Sequence, residues 1–360
     1  MLPAAELRGG TMDCGSGLLL LLTRTIRQIE PGQVLLVHTE EPSVPPDLHD
    51  WARLAGHEIV TSTEDDPAGP WQVAIRRGGT APDASRATTH TTVFTNGPVA
   101  PVGDRLWLYS NFHCNLACGY CCAKSSPQAQ ARLMPLELAL EVADAFGALD
   151  GRELLVTGGE PFLHPQIEDL IVQLAARLPV TVLTNAMVFG RGARRHSLEA
   201  MPRDRVTLQV SLDSAAPALH ERHRGHGTHA QTLAGIKQAR ALGFTVKIAA
   251  TLNDDETDTA ADLVALLDTL GIAADHRLIR PVAKQGYAQH GEQVSIDTLE
   301  PEPTVTADGI WWHPVAVTDP AMRVADQPLP LSTALATIRD TVAVQDAAQR
   351  EGRRHVFRCA

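Results

Sequence analysis

Apolar and polar positions fall into distinct regimes along the chain. Over residues 1–79, short apolar runs predict strands at Ala5–Arg8, Gln33–His38, His57–Ser62 and Trp71–Ile75, with helical patterns at Ser16–Ile29 and Asp47–Ala55. That order predicts a small two-layer α/β sandwich, two helices on one sheet. Residues 80–103 are rich in Thr, Ala, Pro and Gly and form a linker. From 104 to 285 the pattern becomes regular. Strands at Arg105–Tyr109, Glu153–Thr157, Val180–Thr184, Arg205–Ser211, Val246–Thr251 and Arg277–Ile279 are separated by helices near 135–148, 165–178, 193–201, 228–242 and 257–270. Strands spaced by helices pair in parallel through right-handed crossovers. The α/β fold expected is therefore a partial (β/α)6 barrel of the TIM type, open where a full barrel closes at eight. Residues 286–360 make a short C-terminal extension, with a turn and strand in Asp308–Pro314 and an amphipathic helix at Leu331–Val344.

Composition narrows the function classes. The chain has 360 residues, enough for two or three domains at ~150 residues each. A net charge of −11 argues against a general nucleic-acid binder, which is usually basic. The longest apolar run, Leu18–Leu22, falls far short of the ~18 residues a membrane crossing needs. It also lacks the basic flank and cleavage signal of a leader peptide. The expectation is a cytoplasmic protein with reduced thiols, no membrane partner and no nucleic-acid partner.

Candidate chemistry concentrates at residues 107–124. Cys114, Cys118 and Cys121 stand in a C-x3-C-x2-C spacing, with Tyr120 before the third thiol. Structural zinc wants four ligands in pairs, and no second C-x2-C pair exists here. A disulfide framework does not suit a long chain without a secretory signal. Three thiolates on a [4Fe–4S] cubane leave one iron open to a small molecule. Cys122 adjoins the motif as a bystander, and Cys359 alone cannot hold an auxiliary cluster. His220, His223, His226 and His229 recur every third residue, but Gly225 and Gly227 interrupt the helix that would align them.

Polar groups recur at the predicted strand ends, where parallel barrels place their chemistry. They are Thr157-Gly158-Gly159-Glu160-Pro161, Thr184-Asn185, Ser211-Leu212-Asp213 and Thr251-Leu252-Asn253. Paired glycines let a ligand approach the backbone, and a carboxylate accepts hydrogen bonds from an ammonium group. With the cysteine motif, these features make residues 104–290 resemble the radical S-adenosylmethionine (SAM) superfamily. The resemblance implies a [4Fe–4S] cluster on Cys114, Cys118 and Cys121, with SAM chelating the fourth iron. It implies that Gly158, Gly159 and Glu160 contact the SAM amino group, with Thr184 and Asn185 beside them. Ser211, Asp213 and Asn253 become candidates for its ribose or carboxylate, and Arg222 or Arg224 for its carboxylate. It further implies an electron donor such as a flavodoxin or ferredoxin, and reductive SAM cleavage to a 5′-deoxyadenosyl radical that abstracts hydrogen from substrate.

Residues 1–79 resemble the TusA-like sulfur-carrier family through Leu7-Arg8-Gly9, Cys14 opening a Leu-rich helix, Pro31-Gly32-Gln33-Val34-Leu35, Asp47-Leu48-His49-Asp50-Trp51 and Gly56-His57-Glu58. In that family the equivalent cysteine carries a persulfide, and a cysteine desulfurase becomes an expected partner. The family has proline after this cysteine, whereas Gly15 stands here. Three readings follow. Cys14 delivers sulfur to a radical product; or the first domain only docks a peptide or carrier-bound substrate; or the chain is an iron–sulfur sensor that binds SAM without turnover. A peptide and a small molecule both remain open as substrate.

Overall fold

The computed structural model describes residues 3–10, 18–41, 44–54, 57–63, 70–78, 102–190, 192–253 and 259–349. Cys14, Cys359 and nearly all of the predicted linker lie outside them. The chain divides into two compact units, Met1–Thr89 and His90–Ala360.

The first unit holds strands β1 (Ala5–Gly10), β2 (Val34–Thr39), β3 (Glu58–Ser62) and β4 (Trp71–Arg76), with helices α1 (Leu19–Gln28) and α2 (Val44–Leu54). The sheet order is β1-β2-β4-β3. Strand β1 runs parallel to β2, and β4 lies antiparallel to both its neighbours. Alternation decides which face is buried. Leu35 sits opposite Ile75 and Val37 opposite Val73, so all four share one face. That face joins one cluster with Leu18, Leu22 and Ile26 from the α1 stretch and Val44, Leu48 and Ala52 from α2. Both helical sets recur every fourth residue, the spacing of a single helical stripe.

The second unit begins with six strand positions in sequence. These are β5 (Arg105–Tyr109), β6 (Glu153–Thr157), β7 (Val180–Thr184), β8 (Val206–Ser211), β9 (Thr245–Leu252) and β10 (Arg277–Pro281). Each is parallel to the next, as a partial barrel requires. The connecting helices are α3 (Leu136–Gly147), α4 (Ile167–Arg177), α5 (Ala193–Ala200), α6 (Pro217–Arg224), α7 (Thr228–Ala241) and α8 (Ala260–Thr269). Helix α4 illustrates why the sequence folds this way. Ile167, Leu170, Ile171, Leu174 and Ala175 form its buried stripe, while Glu168 and Asp169 in the first turn and Arg177 in the last suit the helix dipole. Strand β6 is buried on both faces, so Leu154, Leu155 and Val156 run without alternation.

Two features differ from expectation. Helix α6 was not anticipated, because Pro217–Arg224 carries no apolar stripe and buries only His220. The C-terminal residues are also built into the sheet. Strand β11 (Thr304–Thr306) pairs parallel with β5, and β12 (Gly309–Trp311) and β13 (Arg323–Ala325) follow antiparallel. Helix α9 (Leu331–Gln349) closes the described chain. Glu302 anchors this addition through an ion pair with Arg105 and by accepting a hydrogen bond from Trp107 Nε1 at 2.9 Å.

The turn after β12 contains a buried histidine with a thermodynamic consequence. His313 is fully buried, and its Nδ1 accepts a hydrogen bond from Val315 N at 3.2 Å. Burial, followed by the positive charges of Arg280 and Arg105, pushes its pKa down to about 3. The unfolded chain, with His near 6.5, therefore binds the proton first on acidification. Stability held above pH 6.5 is lost as pH falls toward the folded value, about 2 kcal/mol between pH 7 and pH 5 at ~1.4 kcal/mol per unit. His220, pushed to about 4 mainly by burial, acts in the same direction. His313→Asn keeps a capping acceptor but cannot titrate. Thermal unfolding should show a smaller fall in Tm between pH 7 and pH 5 for this variant than for the wild type.

Candidate metal and cofactor site

The loop after β5 is irregular; it pairs part of its own backbone, as in Cys121 N to Cys118 O at 3.1 Å and Cys114 N to Ser126 O at 3.3 Å, and neighbouring elements satisfy other groups. Ser110 N donates to Thr157 O at 2.9 Å, Gly159 N to Asn111 O at 2.9 Å and Glu160 N to His113 O at 3.0 Å. The end of β6 is thus zipped to the residues preceding Cys114. A Cβ at Gly159 would lie 2.1 Å from His113 O, so only glycine fits this approach. The paired glycines were expected to admit a ligand; what comes closest to Gly159 is the cysteine loop itself.

Further contacts hold the rest of the loop. Asn185 Nδ2 donates to Asn115 Oδ1 at 2.7 Å. Gly119 N donates to His223 O at 3.0 Å, and Tyr287 N to Cys121 O at 3.0 Å. Thr318 Oγ1 donates to Cys122 O at 3.1 Å.

Cys114, Cys118 and Cys121 are free thiols and line one cavity of about 170 Å³. Two of the sulfurs already accept backbone hydrogen bonds, Cys114 from Leu116 N at 3.4 Å and Cys121 from Ser125 N at 3.3 Å. Burial, with the Glu160 charge second, pushes the Cys114 thiol up to about 12. Burial likewise raises Cys118 to about 11, against the pull of Arg224. Without a cation Cys114 and Cys118 keep their protons; a bound metal would displace them. Among the described residues, no three His, Cys, Asp or Glu side chains converge on one metal ion. Three thiolates lining one cavity are the donor set of an iron–sulfur cubane with one open iron, one short of the four a structural zinc takes. The donor set therefore fits a cluster and disfavours structural zinc.

The same cavity collects Gly158, Gly159, Thr184, Asn185, Ser211 and Arg224 from three strand ends and α6. It does not collect the remaining expected residues. Glu160 is fully buried behind the wall: Oε1 accepts from Phe162 N at 3.1 Å and Thr184 Oγ1 at 2.8 Å, and Oε2 from Asn185 N at 2.8 Å. Burial raises its pKa to about 7 despite those bonds. Asp213 is also behind the wall, bonded to Arg224 Nε at 2.6 Å and Nη2 at 3.2 Å, Thr251 N at 3.1 Å and the Tyr120 hydroxyl. Burial works against its charge, but the Arg224 guanidinium holds the carboxyl below its usual range. Asn253 Nδ2 meets His223 Nε2 at 3.0 Å, and Arg222 is exposed on α6.

Tyr109, Cys122, Arg280 and Val315 line the cavity as well. Arg280 left one signal in the sequence, a charge inside the apolar run of β10. Tyr109 and Val315 left none, because they meet only through the C-terminal turn, where the Tyr109 hydroxyl donates to Pro314 O at 2.6 Å. The histidine run does not gather. His220 and His229 meet edge to face with ring centroids 5.5 Å apart, whereas His223 lies against Tyr120 and His226 is exposed.

Comparisons with known proteins agree with this arrangement. Residues 109–268 match the family model of the Radical SAM superfamily. The chain is 33% identical over 193 residues to a GTP 3',8-cyclase of Streptomyces coelicolor, covering 51% of this chain and 54% of that protein. It is 27% identical over 194 residues to the antilisterial bacteriocin subtilosin biosynthesis protein AlbA of Bacillus subtilis, covering 53% of this chain and 42% of AlbA. The chain thus spans about half the length of these relatives. Its fold is similar to that of native anSMEcpe with bound AdoMet and Cp18Cys peptide, with TM-score 0.50 and 11% identity, over 67% of this chain and 82% of that one. With three thiols on one cavity wall and that wall built from successive strand ends, residues 109–268 carry the match to the radical SAM superfamily, whose cofactors are a [4Fe–4S] cluster and S-adenosylmethionine.

Proposed function

We propose that the chain is a radical SAM enzyme that takes hydrogen from an enclosed substrate. The observation that carries this reading is the single cavity shared by Cys114, Cys118, Cys121, the strand-end groups Gly158, Gly159, Thr184, Asn185 and Ser211, and Arg224 of α6. When bound, the cluster and SAM supply one-electron cleavage to methionine and a 5′-deoxyadenosyl radical. The three cysteines would hold the cluster. The Gly158-Gly159 backbone and the Thr184, Asn185 and Ser211 side chains offer hydrogen-bond partners to the amino-acid and ribose parts of SAM. Arg224 presents its guanidinium to a carboxylate. The apolar wall of Tyr109, Val282, Ala283 and Val315 excludes water from the reacting centre. A flavodoxin- or ferredoxin-like donor would supply the electron.

For the first unit, the reading is a TusA-like sandwich whose Cys14 delivers sulfur, loaded by a cysteine desulfurase. Covalent linkage would raise the effective concentration of that sulfur at the barrel. A second reading, docking of a peptide, is favoured by Gly15 where sulfur carriers have proline. The names of AlbA, a bacteriocin biosynthesis protein, and of the peptide-bound anSMEcpe structure point the same way.

Three outcomes test these readings. Cys118→Ala should reduce 5′-deoxyadenosine formation under strong reduction to background, measured by chromatography against the wild type. Gly159→Ala should lose most of its bound iron, because its methyl would displace the loop at His113, whereas Gly147→Ala, with open space around its new methyl, should keep wild-type iron. After incubation with a cysteine desulfurase and cysteine, intact mass should show one added sulfur in the wild type and none in Cys14→Ala. No added sulfur in either would leave docking as the role of the first unit.

A further inference from the structure

The last turn of α6 grips the middle of the cysteine loop from behind the cavity wall. Asp213, whose side chain is 3% exposed, is the hub. It accepts from Arg224 Nε at 2.6 Å and Nη2 at 3.2 Å, from Thr251 N at 3.1 Å and from the Tyr120 hydroxyl. Tyr120 stands between Cys118 and Cys121. The Arg224 guanidinium also lies over the Tyr120 ring, 5.5 Å from its centroid, and it faces the cavity that the three thiols line. One carboxylate therefore fixes a loop residue, a cavity cation and the end of β9 together.

We propose that Asp213 is a positioning residue for the cluster and not a ligand of SAM: it holds Tyr120 and Arg224 in one arrangement and neutralises Arg224 beside the cysteine loop, setting the cluster's reduction potential. The proposal rests on the radical SAM reading given above. Its physical basis is that a cluster's potential follows the net charge, hydrogen bonding and solvent exposure around it. In a buried site a single uncompensated charge is screened far less than at the surface. Removing one member of the Asp213–Arg224 pair leaves the other buried and uncompensated. The two removals carry opposite sign. Loss of Asp213 leaves a cation that favours the reduced, more negative cluster, and loss of Arg224 leaves an anion that disfavours it.

The test uses the full chain, reconstituted anaerobically with iron and sulfide, without SAM. Iron content is measured first, and the midpoint potential then follows from an electron paramagnetic resonance titration. Asp213→Asn should raise the potential, Arg224→Gln should lower it, and the double variant should fall between them. A merely structural clamp would instead shift both single variants in one direction or leave them at the wild-type potential; either result overturns the proposal. If Asp213→Asn fails to fold, Arg224→Gln still decides, since a potential at or above wild type contradicts the charge assignment. A wild-type chain that takes up no cluster would sink the underlying reading before any variant is compared.

Discussion

An irregular loop that must turn three sulfurs toward one small space can pair only part of its own backbone, and the neighbouring elements of the barrel supply partners for the rest. Its amides and carbonyls need partners, since buried unpaired backbone groups are costly. The chain supplies them from four directions: the end of β6, the last turn of α6, the segment after β10 and Thr318 in the C-terminal extension. The tightest of these is Gly159 against His113, where no side chain fits. The Gly-Gly-Glu sequence is thus a joint between two loops before it is a contact for any ligand. Its exposed peptide face can still serve the cavity, because the joint uses its other groups.

Electrostatics around the loop follow from the same burial. Glu160 and Asp213 are both buried carboxylates, but their partners differ. Glu160 is held by neutral donors and its pKa rises, while Asp213 is held by a guanidinium and its pKa falls. Asp213 is therefore held as a carboxylate paired with Arg224, whereas Glu160 titrates at about 7. Burial raises the Cys114 and Cys118 thiols, so metal binding through them must be coupled to proton release.

Much of this was legible in the sequence, for reasons specific to each element. Strands β5, β6 and β7 fall at the predicted residues because their apolar runs are buried on both faces and end abruptly in glycine or amide residues. The cysteine spacing identified the loop without any structure. Orientation was not legible. Glu160 and Asp213 stand at strand ends with the residues that line the cavity, yet both side chains turn behind the wall, and sequence position cannot distinguish the two directions. Strand β12 falls within the turn and strand expected at Asp308–Pro314, but β11 and β13 have three residues each, too few to establish a period, and the continuation of the barrel sheet was not read. Arg280 and Val315 were missed with them.

The histidine-rich stretch explains why a helix without an apolar face is nonetheless fixed in place. Gly225 and Gly227 adopt φ of +104° and +77°, conformations that strain other residues, and they separate α6 from α7. The break lets α7 pack along its own buried positions while α6 ends against the cysteine loop. Arg222, His223 and Arg224 occupy the last turn of α6, where the helix dipole favours positive charge, and Arg224 there meets Asp213. A continuous helix would tie the direction of α6 to that of α7, and the two requirements could not be met together. The segment's polar composition, which resembles a metal motif when read along the chain, is what remains when a helix is held by its end rather than by its face.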